Sequence, residues 1–140
     1  MFKKVFSLIL ITILSLYGVL PITAYAVPPV INNPRYQYVD SISTDFNIIS
    51  GVAYCYGSAR TNHSDTTTTI KVTLQKRAIG GSTWSPVKSW TDTANGYYSA
   101  IVDETKEVSS GYNYRLYVWV TIKDSDGNVL EGVPMYSHII

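Results

Sequence analysis

His63, His138, Cys55 and the run Asp124-Ser125-Asp126-Gly127-Asn128 are the groups in this 140-residue sequence whose types could do chemistry. A histidine that titrates near neutrality can act as a general base, and a neighbouring cysteine as a thiolate nucleophile. The spacing supports neither. His63 lies in the polar stretch Asn62-His63-Ser64-Asp65. Its sequence neighbours do not make a triad, because triad members meet in space from separate elements. It reads as a solvated loop histidine, and His138, two residues from Ile140, is poorly placed for a preorganised base. Cys55 is flanked by Tyr54 and Tyr56 and reads as a small buried strand residue rather than a reactive thiol. A Cys55–His63 pair would need the strand end to fold back on itself. No metalloprotease helix, nucleophile elbow, phosphate loop or dinucleotide fingerprint is present. No catalytic residue is assigned, no cofactor is expected, and the reading is non-enzymatic.

The acidic run has the first part of a calcium loop, in which several oxygens converge on a hard cation. It lacks the further Asp and the bidentate Glu, and Glu131 comes too early. Asp126-Gly127 also sits where two strands need a tight turn, so the hairpin reading is preferred and no metal ligand is assigned. Asp103, Glu104 and Glu107 form a second acidic cluster that reads as a solvated connection.

The elements that position these groups follow a period of two, the signature of half-buried strands. Strands are expected at Tyr36–Ser43, at Phe46–Ser58 with a bulge at Gly51, and at Thr68–Ala78. Others are expected at Trp84–Thr91, Tyr97–Val102, Tyr112–Lys123 and Val129–Ile139. Gly57–Asp65 and Asp103–Glu107 read as connections, and Asn95-Gly96 and Asp126-Gly127 as hairpin turns. Pro86 makes its strand an edge or interrupts it. The fold class expected is all-β, an antiparallel β-sandwich of about seven strands, immunoglobulin-like. The approach to the sixth strand, Ser109-Ser110-Gly111-Tyr112-Asn113-Tyr114, resembles that of immunoglobulin-like domains. There a tyrosine hydroxyl bonds back to a nearby loop, and Tyr114 is the candidate. The Cys-Trp-Cys core of antibody domains is missing.

The alternation also selects a surface. On the sixth strand Tyr114, Leu116, Val118, Val120 and Ile122 point inward, which turns Arg115, Tyr117, Trp119, Thr121 and Lys123 outward. With the third strand beside it, Lys71, Thr73, Gln75 and Arg77 extend that row. Tyr117, Trp119, Arg115, Lys71 and Arg77 are the candidate binding face. Exposed rings can stack on sugars or anchor a protein; the plainer alternative is that they only cover the sheet. Trp84 and Trp90 read as core or edge packing.

Residues 1–26 read as a secretory signal peptide: Lys3-Lys4, an apolar run from Val5 to Leu20, Pro21 and the small-x-small end Ala24-Tyr25-Ala26. The run falls short of the roughly 20 residues that span a bilayer. Cleavage after Ala26, a secreted extracellular protein and no membrane span in the mature chain are therefore expected. No lipidation cysteine sits at the cleavage site, and no sorting signal or apolar span is seen at Ile140. Residues 27–35 read as a flexible Pro/Asn-rich leader and residues 36–140 as the sandwich domain.

Charge is nearly balanced, with 11 Lys and Arg against 10 Asp and Glu. Loss of Lys3 and Lys4 would tip it slightly acidic, which argues against nucleic acid or an anionic membrane as partner. A single cysteine leaves no intramolecular disulfide, so stability must come from packing.

Three segments, Thr69–Arg77, Trp84–Trp90 and Gly111–Leu116, carry a further likeness. Over these the chain resembles an uncharacterised family of small secreted proteins of Gram-positive bacteria. The resemblance implies secretion and a β-sandwich and transfers no functional residue. The expected partner is a protein or glycan at the cell surface. The alternative is a secreted antimicrobial or toxin-like effector.

Overall fold

A computed structural model describes residues 36–140; the expected signal peptide and leader lie outside the described residues. Valine, isoleucine and threonine recur at alternate positions, which suits a pleated surface buried on one side. The seven strands are β1 (Val39–Ile49), β2 (Val52–Thr61), β3 (Thr67–Ala78), β4 (Ser85–Asn95), β5 (Ala100–Glu107), β6 (Tyr112–Lys123) and β7 (Val129–Tyr136). They form two antiparallel sheets, β1-β2-β5 and β4-β3-β6-β7, and make an all-β sandwich.

The core is an uneven pairing of large against small. β3 and β6 bury Ile70, Val72, Leu74, Leu116, Val118, Val120 and Ile122. Facing them, β2 turns inward Ala53, Cys55, Gly57 and Ala59. Small residues let the β2 backbone approach so closely that a Cβ on Gly57 would lie 2.7 Å from Val72 Cγ2 and 3.2 Å from Ile70 Cδ1. Phe46 from β1 fills the space beside them and is fully buried.

Two polar devices close the ends. The Tyr114 hydroxyl donates to Ser109 O at 2.8 Å, so the tyrosine expected to tie the β6 entry does so. The Glu131 carboxylate on β7 accepts the backbone N–H groups of Gln37, Tyr38 and Val39 at 3.1, 2.9 and 2.9 Å. It thereby fastens the start of β1 to the other sheet.

Four local expectations are corrected. The stretch Phe46–Ser58 is not one bulged strand but the β1–β2 hairpin. Ser50 and Gly51 both take left-handed φ, 51° and 79°, the conformation of a tight two-residue turn. Gly57–Asp65 is not all loop, since β2 continues to Thr61. Asp103–Glu107 is not a connection but the second half of β5, paired to β2 from Tyr56 to Val52. Asn95-Gly96 makes a turn, but the strands it joins lie in different sheets, so it is a crossover and not a hairpin. Gly96 N–H donates to Thr66 O at 2.8 Å, packing this crossover on the loop before β3.

The sheet edges are interrupted. Pro86 lies on edge strand β4, where the register with β3 slips, and Pro134 lies on edge strand β7. On edge strand β5, Glu104 and Lys106 occupy inward-facing positions opposite Cys55 and Ala53, yet both are exposed. Asp92 of β4 reaches across to accept the Ile101 N–H of β5 at 2.7 Å.

Cys55 is 1% exposed, and burial pushes its thiol up to about 12. The thiolate is the reactive form. The native protein is therefore expected not to react with a disulfide reagent at pH 8, and to release its single thiol equivalent only in denaturant. Reaction of the folded protein would refute this placement.

Candidate binding face

The outer surface of β4-β3-β6-β7 gathers every residue singled out for binding. β3 and β6 lie side by side, with Lys71 opposite Trp119, Thr73 opposite Tyr117 and Gln75 opposite Arg115. Arg77 follows in the same outward row, opposite Asn113. β7 then places Tyr136 beside Tyr117, Pro134 beside Trp119 and Gly132 beside Thr121. On the far side β4 sets Ser89 against Thr73, with a hydroxyl–hydroxyl bond of 2.9 Å.

The rings and cations are ordered into a ladder. Arg115 packs between two aromatic rings, its guanidinium carbon 4.2 Å from the Trp84 centroid and 4.4 Å from that of Tyr136. Its Nε donates to Gln75 Oε1 at 2.9 Å, which fixes the plane of the fork. Arg77 approaches the same Trp84 at 4.7 Å. Tyr136 meets Tyr117 with centroids 5.0 Å apart. Cation–π contacts of this kind contribute about 0.5–1 kcal/mol each at exposed sites. Beyond them lies Trp119, 39% exposed. One side of its indole covers Gly132, where an added Cβ would fall 2.9 Å from Trp119 Cζ2. An aromatic ring thus fills the gap that glycine leaves on the edge strand.

Trp84 and Tyr136 were not among the sequence-chosen face residues. Tyr136 was recoverable: a hairpin through Asp126-Gly127 pairs it with Tyr117. Trp84, expected as the first residue of the strand Trp84–Thr91 and as core or edge packing, precedes β4. Nothing in its spacing signals that it stacks on Arg115 of β6 and Arg77 of β3 and not on the core. Trp90, by contrast, does pack against the core.

The groups that might have done chemistry lie elsewhere. Cys55 is in the core of the other sheet. Thr61 lies six steps along β2 from it, roughly 20 Å, and His63 lies beyond that end. His63 lies half-buried in the loop after β2, with its ring 4.9 Å from that of Tyr38 and tilted 42° to it. His138 lies past the end of β7, 6.2 Å from the Phe46 ring centroid. In the Asp124–Asn128 loop the Asp124 carboxylate is occupied by the chain itself. Oδ1 accepts the N–H groups of Asp126 and Asn128, and Oδ2 accepts Asn128 Nδ2. The Asn128 side-chain bond, then its backbone N–H, hold this carboxyl below its usual range. These bonds close a hairpin turn. Among the described residues no group of three His, Cys, Asp or Glu side chains is placed to hold a metal ion.

A cleft of about 400 Å³ opens between β4 and β5, lined by Trp90, Asp92, Ile101, Asp103 and Glu104. It lies on the edge of the sandwich, and Asp92 there is already bonded to Ile101. The outer face of β1-β2-β5 has the opposite character to the aromatic face. Asp45, Tyr56 and Asp103 stand in one cross-strand row. The outward rows of β3 and β6 carry Lys71, Arg77, Arg115 and Lys123 without a carboxylate.

Compared with known proteins, the chain matches no family model and no curated sequence. No helix of the described residues is long and apolar enough to cross a membrane.

Proposed function

We propose that this chain is a secreted, non-enzymatic, immunoglobulin-like sandwich that acts by binding a protein or glycan at the cell surface or in the extracellular space. The observation that carries the reading is the outer face of β4-β3-β6-β7, where Trp119 and Tyr136 present rings beside cations that no carboxylate partners. Rings held flat by neighbouring strands lose little entropy when a ligand covers them, and unpaired cations give that ligand an orientation. Secretion is supported by the charged, apolar and small-residue order of residues 1–26. The immunoglobulin-like reading is supported by the strand order and by the Tyr114 tie.

The test is retention of the tagged protein, produced from the full-length sequence, on intact producing cells, on their isolated wall polysaccharide and on proteins of the culture supernatant. Wild type should be retained on at least one. Trp119→Ala should weaken that retention by tenfold or more, as truncating a central aromatic anchor does. Equal retention of the two proteins would remove the face from the reading.

A further inference from the structure

We infer that the face binds an acidic polysaccharide, with its oxyanion seated on Arg77 and Arg115 and its sugar rings laid along Tyr136 and Trp119. This rests on the binding reading above and specifies the ligand class.

The face carries unbalanced charge. Arg77 and Arg115 gather on one indole, that of Trp84. Two guanidinium groups so placed repel each other. Among the described residues the one ion pair is Arg60–Asp40, so no carboxylate relieves them. Arg77 Nε is shielded from solvent and has no hydrogen-bond partner. Arg115 is fixed at Nε by Gln75, and its terminal nitrogens make no hydrogen bond to any described residue. A guanidinium held rigid with its terminal N–H groups free matches a carboxylate or phosphate, which accepts two parallel bonds.

The spacing of the face sets the shape of what it can bind. Trp119 lies four strand residues from Arg115, about 13 Å away. A ligand touching both is an extended chain and not a small ion. Between them run the paired rows of β3 and β6. The cleft lined by Trp90, Asp92 and Glu104 lies on the sandwich edge and not on this face. The rings and cations are thus presented on an open surface, which suits a chain laid along it better than a peptide anchored by buried hot spots. The exposed parts of Trp119 and Tyr136 offer aromatic surface to the C–H side of sugars, and Thr121 beside them offers a hydroxyl. The two outer faces of the molecule differ in charge. A polyanion is repelled by the Asp45–Tyr56–Asp103 row and so is directed to the aromatic face.

The test uses one backbone in three states: carboxymethyl-dextran, phosphorylated dextran and unmodified dextran, each in affinity electrophoresis or calorimetry with protein from the full-length sequence. Binding to either acidic dextran, weaker at higher salt, with at least tenfold weaker binding to the neutral one, is expected. The two acidic arms separate a carboxylate from a phosphate source. Arg115→Gln should weaken binding about tenfold, the loss expected for one charge-assisted bond. So should Lys71→Gln, because Lys71 lies opposite Trp119 in the same outward row and meets a further charge of an extended polyanion. Lys71 is exposed, so its variant keeps the inference testable if Arg115→Gln fails to fold. Equal affinity for poly-glutamate or for an oligothymidylate would overturn the glycan assignment, as would no binding to either acidic dextran. If that failure coincides with Trp119-dependent retention on cells, the ligand class is wrong and the binding face stands. If Trp119→Ala is also without effect, both fall.

Discussion

Gly57→Val is expected to destabilise the protein by about 3 kcal/mol and to lower Tm by more than about 10 °C. The cause is the close approach of β2 to the opposing sheet. A Cβ at this position would already stand 2.7 Å from Val72 Cγ2, and the branches of valine would enter Ile70 and Val118 as well. Those three side chains are themselves fully buried and have no space to yield. The sheets must move apart, and close-packed interiors resist that. Urea unfolding should show a lower midpoint with an unchanged slope, the mark of lost stability without a change in the unfolding reaction. An unfolding free energy within about 0.5 kcal/mol of wild type would mean that β2 does not lie so near β3.

Glu131→Gln should cost about 2 kcal/mol, and its effect should be concentrated at one place. The carboxylate accepts three consecutive backbone N–H groups, from Gln37 to Val39. A glutamine amide keeps one oxygen and turns an NH₂ toward a donor, so at least one N–H loses its partner. Amide exchange should accelerate at Gln37, Tyr38 and Val39 well beyond the change at the buried strand residues of β3 and β6. Uniform acceleration across the chain would show that Glu131 acts on the whole sandwich and not on the entry of β1.

The parts of this fold that could be read in advance were those where one face of a strand is wet and the other dry. β3 and β6 run straight through the middle of their sheet. Ile70, Val72 and Leu74 alternate with Lys71, Thr73 and Gln75, and the pattern places the facing rows without ambiguity. The β1–β2 turn was obscured because Ile48-Ile49-Ser50-Gly51-Val52-Ala53 is apolar on both sides of the reversal. Serine is also an uncommon residue for the first left-handed position. The second half of β5 was obscured for another reason. Its inward positions, Glu104 and Lys106, reach beyond the cover of the opposite sheet, so burial imposes no apolar residue there. The Asn95-Gly96 turn was legible as a turn; which sheet the chain enters afterwards is settled by tertiary packing that local sequence does not encode.

The binding face divides the same way. Arg115, Tyr117 and Trp119 follow from the phase of β6, and Lys71 and Arg77 from its pairing with β3. The contact that organises the cations, Trp84, comes from a segment outside any strand, so its partner is fixed only when the chain is folded. Gly132 beneath Trp119 is a long-range pairing of the same kind.

The interrupted edges bear on how the molecule behaves in company. An open strand edge is a template on which a second chain can add its own strand, and such additions grow into fibres. Here the prolines on β4 and β7 withhold donors, the inward Glu104 and Lys106 of β5 would be buried unpaired by an incoming strand, and Asp92 already occupies an Ile101 N–H that such a strand would need. Of the four edges only β1, whose pairing with β2 slips between Val39 and Ser41, has neither proline nor inward charge. Copies of this protein crowded on one surface or at high concentration therefore have one edge, and not four, on which a foreign strand could be added.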